Sequence, residues 1–259
     1  MTKKRALKTG GQSQPSSTGQ VAASPITPAT TALADWIVRR YRLIFAAILL
    51  FTIATRFINL GHKPFHHDES LYSKYAYDYG KGIGHKYDPL MHGPFAFILN
   101  GTFMKYWDKV YVNLLRHFGK LDPLMPQSGY NDFTARLIPA LLGIGIVLLC
   151  HGLGHHFGKL GALLAAIYFA VSPSFTYYTR FMRMDAYVLF ENHLLIVGFL
   201  LFLFHRKWRY MYISTLGLTL FWCTKENHFV HTLEYLSFFI ILELYKAFVP
   251  TFSRRAPGA

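Results

Sequence analysis

The sequence is poor in charged residues and poorer still in acids. Only 15% of its 259 residues are charged, and 13 Asp and Glu are set against 27 Lys and Arg. An ordinary soluble domain carries about 25% charged residues, so this composition excludes a typical one. The cations flank apolar runs instead of forming a continuous stripe. They are therefore interpreted as signals of membrane topology, and nucleic acid is excluded as a partner.

Cysteine is nearly absent, and the common short cofactor motifs are missing. Cys150 and Cys223, the two cysteines, both lie in apolar runs, which excludes a secreted disulfide scaffold. The sequence contains no P-loop, no GxGxxG, no paired CxxC and no HExxH motif. The candidate functional residues are therefore the polar groups that stand between apolar runs.

Apolar residues make up 52% of the sequence and are clustered in long runs. A helix needs about 20 mainly apolar residues to cross a bilayer, and several runs approach that length. The predicted fold is an all-α integral membrane protein with about six transmembrane helices and interfacial helices in a long first outer loop. The spans are predicted at 43–59, 133–151, 160–178, 186–204, 210–223 and 229–249.

The remaining segments divide the chain into a tail, a transmembrane module and a second tail. Residues 1–35 carry too little apolar surface to offset the entropy of ordering, which predicts a disordered cytoplasmic tail. Residues 36–250 form the module, with 60–132 as its first outer loop, and 251–259 form a second cytoplasmic tail. Within the loop, segment 94–107 is apolar but too short to span, so it is predicted to lie in the membrane interface.

Basic residues near the ends of the spans predict the orientation of the module. The cations that favour the cytoplasmic side are Arg39, Arg40, Arg42, Arg206, Lys207, Arg209, Arg254 and Arg255. This distribution predicts a multi-pass plasma-membrane protein with a cytoplasmic N-terminus. The first outer loop and the turns 179–185 and 224–228 then lie on the non-cytoplasmic side.

Two polar motifs on that side carry groups suited to catalysis or phosphate binding. Asp68 and Glu69 follow two histidines, and adjacent carboxylates there suit a base or a metal ligand, although a solvated acidic loop looks the same. Arg180, Arg183 and Asp185 are interleaved with aromatic residues between two spans. Arginine binds phosphate through two parallel hydrogen bonds, which suits a lipid phosphate. Interfacial arginines that merely pair with Asp185 would give the same pattern.

Two further polar positions are candidates on the same side. The motif His92-Gly93-Pro94 predicts the start of a helix, whether or not the histidine also contacts a ligand. Lys225 either meets a phosphate or pairs with the neighbouring Glu226. Both positions are therefore candidates for binding and not for catalysis.

The order of these motifs resembles the polytopic GT-C glycosyltransferases, and among them the protein-O-mannosyltransferase-like branch. The likeness extends over about residues 40–235 and is nearest to the prokaryotic flippase-activity-associated group. The series that carries it is Arg56, His67-Asp68-Glu69-Ser70, Asp88-Pro89, His92-Gly93-Pro94, Thr134-Ala135-Arg136-Leu137, Ser172-Pro173, Tyr178-Thr179-Arg180, Asp185 and Thr224-Lys225-Glu226.

The resemblance implies transfer of a sugar from a polyprenyl-phosphate donor to an acceptor hydroxyl, on the non-cytoplasmic face of the bilayer. It makes Asp68 the catalytic base and Glu69 its catalytic neighbour. With the phosphate chemistry of arginine, it gives a set of substrate or lipid-phosphate ligands: His92, Arg180, Arg183, Asp185, Lys225 and Glu226. Asp68 and Asp185 could instead bind a divalent metal ion. This alternative stays open, because the sequence has no tight ligand spacing that would require a metal.

Departures from the family pattern leave other functions open. Family members are generally longer, so the sequence resembles their N-terminal half and is compatible with a truncated enzyme or with a subunit whose partner supplies the rest. The main alternative is a non-catalytic polyprenyl-phosphate-sugar binding or flippase-accessory membrane protein, or an inactive relative. A transporter that uses Glu191 and His193 as a proton path is disfavoured, because no inverted repeat is visible.

Overall fold

The structure is a computed structural model that describes residues 28–84, 92–120 and 128–248. These residues form helices and no strand, so the described part of the chain is all-α. A short 3₁₀ turn, Leu153–His155, is the only other regular element of that part. The helices are α1 Pro28–Arg39, α2 Tyr41–Phe57, α3 His67–Gly80, α4 Phe95–His117, α5 Asp132–Gly152, α6 Gly158–Val171, α7 Pro173–Tyr178, α8 Met184–His205, α9 Trp208–Thr224 and α10 His228–Phe248.

Helices α2, α5, α6, α8, α9 and α10 occupy the six regions predicted to span the membrane. By length and composition, two described helices could cross a bilayer, α5 with 21 residues and α8 with 22. Helix α6 is apolar but shorter. The structure is consistent with an all-α membrane protein, and the predicted number of six spans is not confirmed.

The third predicted span, 160–178, is not one helix. Helix α6 ends at Val171, and Pro173 begins α7 as its first residue. Steric contact with a proline ring disfavours helical backbone at the preceding residue, and Ser172 has an extended ψ of 121°. The Ser172-Pro173 step therefore divides the predicted span into a helix of 14 residues and a short second helix of six.

The terminal and loop predictions need two corrections. Helix α1 begins at Pro28, so residues 28–35 are helical and not disordered as predicted. The rest of that tail, the tail at 251–259 and the Asp88-Pro89 motif lie outside the described residues. Helix α4 has 23 residues and continues well past the end of the predicted interfacial segment 94–107.

Helix α5 is the centre of the fold and packs against α2, α4, α6 and α8. On one side, its Val147 lies in a cluster with Tyr41 and Phe45 of α2. On the other side, its Ala135 lies in a cluster with Phe97 of α4 and Tyr187 of α8. The helices that carry the polar motifs are therefore held against one common helix.

Two arginines connect α2 with the α6–α7 region. Arg56 is fully buried in the last turn of α2, and Arg180 follows α7. Each guanidinium donates hydrogen bonds to carbonyl groups near the C-terminal end of a helix, where backbone acceptors are otherwise unpaired and cations are favoured. The acceptors are Phe169 (2.7 Å) and Ala170 (2.9 Å) for Arg56, and Thr55 (2.9 Å) and Ile58 (2.7 Å) for Arg180.

Helices α3 and α4, in the loop between α2 and α5, pack closely because of two glycines. A Cβ atom at Gly80 would overlap the carbonyl group of Gly101, and one at Gly101 would overlap the carbonyl group of Ala76. Helix α3 begins at His67, so Asp68 and Glu69 lie in its first turn. The positive end of a helix dipole favours carboxylates at this position.

Helix α10 exposes an extended apolar surface. Phe229, Leu233 and Ile241 are each more than 60% exposed. Contiguous apolar surfaces of this kind are rare on soluble monomers and mark contact with a membrane or a partner. Together with α5 and α8, this surface indicates a membrane protein.

Candidate functional site

One network of charged side chains joins α3, α8 and the turn between α9 and α10. Arg183 Nη1 lies 3.6 Å from Asp68 Oδ2, and Arg183 Nε lies 3.4 Å from Asp185 Oδ2. Lys225 Nζ donates a hydrogen bond to Asp185 Oδ1 at 3.0 Å. Asp68, Arg183, Asp185 and Lys225, here called the Asp68 network, are thus brought together as alternating charges. Three separate segments of the sequence contribute to it.

Arg183 is the central residue of the Asp68 network. Its backbone is extended where it caps the start of α8, and Asp185 lies in the first turn of that helix. Although Nε is within ion-pair distance of Asp185, this buried atom has no hydrogen-bond partner. The side chain is 32% exposed. An anion could therefore reach the exposed part of the Arg183 guanidinium, but not its buried Nε.

The two neighbouring carboxylates, Asp68 and Glu69, have opposite environments. The Asp68 side chain is 42% exposed, whereas the Glu69 side chain is fully buried. Successive residues of a helix point about 100° apart, which turns one carboxylate towards solvent and the other towards α5. Asp68 is accessible to a substrate, and Glu69 is not.

Glu69 forms a buried ion pair with Arg136 of α5. Arg136 donates from Nε to Oε1 at 2.6 Å and from Nη2 to Oε2 at 2.7 Å. Its Nη1 also donates to the carbonyl groups of Leu60 (2.9 Å) and Lys63 (2.7 Å) in the first outer loop. The backbone N–H of Met182 donates to Glu69 Oε1 at 3.1 Å. Glu69 thus links α3, α5 and the chain just before α8, and both its oxygens are occupied.

A second pair lies beside the Asp68 network. His92 Nδ1 donates to Glu226 Oε2 at 2.5 Å, and the N–H of Gly93 donates to the carbonyl group of Thr224 at 3.0 Å. Burial raises the pKa of Glu226, but its own backbone N–H and the His92 ring lower it more, so the pKa lies below its ordinary value. Glu226 therefore pairs with His92, and Lys225 pairs with Asp185 and not with Glu226.

Tyr72 of α3 shows that these groups share one region. Burial raises the pKa of its phenol, the positive charge of Arg183 opposes the shift, and Asp185, Asp68 and Glu226 add to it. The side chain is only 8% exposed. Tyr72 was not among the residues selected from the sequence, because it is one of several tyrosines in α3 and carries no distinctive signal.

Glu191 of α8 is bound to the neighbouring helix α9. Its Oε1 accepts a hydrogen bond from Thr224 Oγ1 at 2.6 Å, and His193 Nδ1 is 2.6 Å from the carbonyl oxygen of Leu189 within its own helix. Tyr235 of α10 donates to Asn192. These bonds favour a structural role, in which the polar groups hold helices together. They favour it over the alternative of a continuous proton path.

Arg180 is separate from the Asp68 network among the described contacts. Its guanidinium is bound to the carbonyl groups at the end of α2, and it lines a cavity on the α2–α7 side together with Arg136. Burial lowers the pKa of Arg180, and the nearby positive charge of Arg136 lowers it further. The structure therefore divides the predicted phosphate-binding set into two groups.

Asp68 and Asp185, the two residues predicted as metal ligands, are poorly placed to bind a metal ion. Within residues 28–84, 92–120 and 128–248, no group of three or more His, Cys, Asp or Glu side chains could hold a metal ion. Asp68 and Asp185 each lie within ion-pair distance of Arg183. A cation placed between the two carboxylates would have to displace the guanidinium.

Comparison with known proteins gives one match. Residues 125–252 match the family described as dolichyl-phosphate-mannose-protein mannosyltransferase. This segment contains Arg136, Arg183, Asp185 and Lys225, whereas Asp68 lies before it. No curated protein and no solved structure matches the chain significantly. This match to a family of membrane glycosyltransferases supports a GT-C-like, mannosyltransferase-like domain in this part of the chain.

Proposed function

We propose that this protein transfers a sugar from a polyprenyl-phosphate-linked donor to an acceptor hydroxyl on the non-cytoplasmic face of the membrane. The observation that carries the proposal is the Asp68 network. It places the accessible carboxylate of Asp68 3.6 Å from Arg183. Asp185 contacts both Arg183 and Lys225, so the two cations lie close together. A base and two cations for a phosphate leaving group are the parts that such a transfer requires.

Asp68 is the proposed base. The acceptor hydroxyl gives its proton to an Asp68 carboxylate oxygen while the hydroxyl oxygen forms a bond to the anomeric carbon of the sugar. The bond between that carbon and the phosphate oxygen breaks, and the electron pair leaves with the polyprenyl phosphate. No general acid is needed because the departing phosphate oxygen carries its charge without protonation.

Arg183 and Lys225 are the proposed phosphate ligands. The partly exposed guanidinium of Arg183 and the ammonium group of Lys225 both contact Asp185, which holds the two cations at 3.4 and 3.0 Å. Positive groups fixed in advance stabilise charge that develops in the transition state without having to reorganise. Asp185 is thus a positioning residue in this scheme.

The other predicted residues have supporting parts in the proposal. Glu69, buried against Arg136, positions the first turn of α3 and so the carboxylate of Asp68. The pair of His92 and Glu226 fixes the start of the α4 segment against the turn after α9. Glu69 is therefore proposed to position the base, in place of the catalytic role expected from the sequence.

The proposed setting is the plasma membrane, with a cytoplasmic N-terminus and the Asp68 network outside. The distribution of basic residues along the sequence supports this orientation. The polyprenyl tail of the donor would lie in the bilayer against the exposed apolar helix surfaces, with its phosphate at the network.

A non-catalytic protein that binds a polyprenyl-phosphate sugar is the second candidate. One contact favours it, because Asp68 is already within ion-pair distance of Arg183 and could serve only to orient that arginine. In this case the network binds the donor phosphate and Asp68 accepts no proton.

Replacing Asp68 by Asn separates the two candidates. Membranes that contain the full chain are supplied with dolichyl-phosphate [¹⁴C]mannose, and both donor binding and transfer of label are measured. We expect the variant to lose transfer by about 100-fold or more while it still binds donor, since a neutral amide cannot take the proton.

Asp78→Asn is the matched control. Asp78 lies on the same helix, is paired with Lys74 at 2.6 Å and is not part of the Asp68 network. Its variant should transfer label like the wild type. If Asp68→Asn transferred label as well as the wild type, Asp68 would not be the base. If the wild type bound donor and transferred no label, the non-catalytic binding protein would be favoured.

A further inference from the structure

A separate cavity of about 740 Å³ opens between α2 and the α6–α7 segment. Its volume is within the range of sites that bind small ligands, about 300–1,000 Å³. Several of its apolar lining residues are exposed at the surface, among them Ile58 (62%) and Val171 (58%). The cavity is therefore accessible from the side of the helices that is apolar.

The lining has an apolar part and a polar part. Phe51 in α2, together with Ala170 and Val171 at the end of α6, forms the apolar part. His62 and Lys63, which follow α2, belong to the polar part. A cavity with an apolar wall inside the helices and polar groups just beyond their ends has the polarity of an amphiphile, with a tail and a head.

The polar part of the cavity is cationic. Lys63, Arg136 and Arg180 line it, and no residue of the described lining is an acid. Arg136 is neutralised by Glu69, but Arg180 is hydrogen-bonded to carbonyl groups and to no carboxylate among the described contacts. The cavity therefore attracts an anion, and lysine and arginine are the side chains that bind phosphate best.

A wall of side chains separates this cavity from the Asp68 network. Arg136 and Phe181 line the cavity, and Glu69 lies behind Arg136 in the buried ion pair. Asp68 and the other network residues are not part of the lining. A ligand in the cavity would thus occupy a place distinct from the proposed transfer site.

We propose that this cavity binds the phosphate head of a membrane lipid at Lys63 and Arg180, with part of the hydrocarbon tail against Phe51, Ala170 and Val171. The lipid is either a polyprenyl phosphate or a glycerophospholipid, since both have this chemistry. The inference needs the membrane setting and the cavity. It does not need the transfer reaction to be correct.

Native mass spectrometry of the purified full chain in detergent tests the proposal, with lipid binding counted in titrations. The probes are undecaprenyl phosphate, palmitoyl-oleoyl phosphatidylglycerol, uncharged undecaprenol and inorganic phosphate. We expect Lys63→Gln to weaken binding of at least one lipid phosphate by about tenfold, since one charge-assisted contact is lost. The lipid that is affected identifies the source of the head group.

Three further variants keep the test independent of folding and of the transfer site. Val171→Trp should also weaken binding, because it fills the apolar part from an exposed position. Lys109→Gln, which removes an exposed lysine of α4 outside the cavity, should leave binding unchanged. Lys225→Gln should impair transfer of label and spare the lipid that depends on Lys63.

Four results would overturn the proposal. Binding of both lipid phosphates that is unchanged in Lys63→Gln and in Val171→Trp would show that the cavity is not used. If undecaprenol bound as tightly as the lipid phosphates, the cavity would have no anion site. If inorganic phosphate bound as tightly as the lipid phosphates, the hydrocarbon tail would not contribute to binding. Loss of all lipid binding in Lys225→Gln would place the lipid at the Asp68 network instead.

Discussion

Replacement of Glu69 by Gln distinguishes a buried positioning carboxylate from the neighbouring base. The substitution keeps the shape of the side chain and removes its charge. Arg136 then remains in the interior with its side chain 4% exposed and without the carboxylate that accepts two of its hydrogen bonds. We expect a loss of stability first and a loss of transfer as its consequence.

The expected size follows from the burial of both partners. Removal of one member of a buried ion pair costs about 3–5 kcal/mol, because the other charge is left without compensation. For a chain of this size, about 1 kcal/mol shifts Tm by about 2–4 °C, which gives a fall of about 6–20 °C. Thermal unfolding of the purified chain, followed by circular dichroism, measures the change. Asp68→Asn should change Tm much less, since the Asp68 side chain is 42% exposed.

The double variant Glu69→Gln/Arg136→Met serves as the control for this reasoning. It removes the unpaired guanidinium and should recover part of the lost stability, although the loop carbonyl groups bound by Arg136 lose their donor. A Glu69→Gln protein with the Tm of the wild type and no transfer activity would refute the positioning role. In that case Glu69 would take part in the chemistry itself.

Two further outcomes concern the turn after α9. Because the pKa of Glu226 in the folded protein lies below its ordinary value of 4.5, its pairing with His92 stabilises the fold above about pH 5, and this contribution is lost as the pH falls through the lowered pKa. Glu226→Gln should therefore lower Tm at neutral pH and match the wild type in strong acid; an equal difference at every pH would contradict this. Gly93→Ala should reduce transfer, since its Cβ would overlap the carbonyl group of Cys223. Gly152→Ala is the control, because a Cβ there meets no atom within 4 Å, and it should behave like the wild type. Equal activity of the two alanine variants in the transfer assay would show that the close contact is unimportant.

The positions of the apolar helices could be predicted from the sequence because long apolar runs leave few alternatives. Five of the six predicted spans coincide with one helix each, within a few residues. The exception is the predicted span 160–178, which contains Ser172-Pro173, and there the proline starts a new helix. Helix α1 was missed because its first residues have the composition of a disordered segment.

The candidate site was less predictable, because neighbouring residues diverge in space. Arg180 and Arg183 are three positions apart, but one binds the end of α2 and the other joins Asp68 and Asp185. Their different partners depend on packing between distant segments, which local sequence does not contain. Arg136 is a similar case, since its motif was visible in the sequence and its burial against Glu69 was not.

The reciprocal bonds of Arg56 and Arg180 limit how the first outer loop can move. Each guanidinium is fastened to backbone at the same level of the helix pair, so a slide of α2 along α6 by one turn, about 5.4 Å, would break all four bonds. Piston-like displacement of α2 is thus opposed, whereas tilting of α2 and α6 as one body leaves the bonds intact. The position of the loop relative to α6 is therefore fixed by two side chains, and Arg56→Met would remove two of the four bonds.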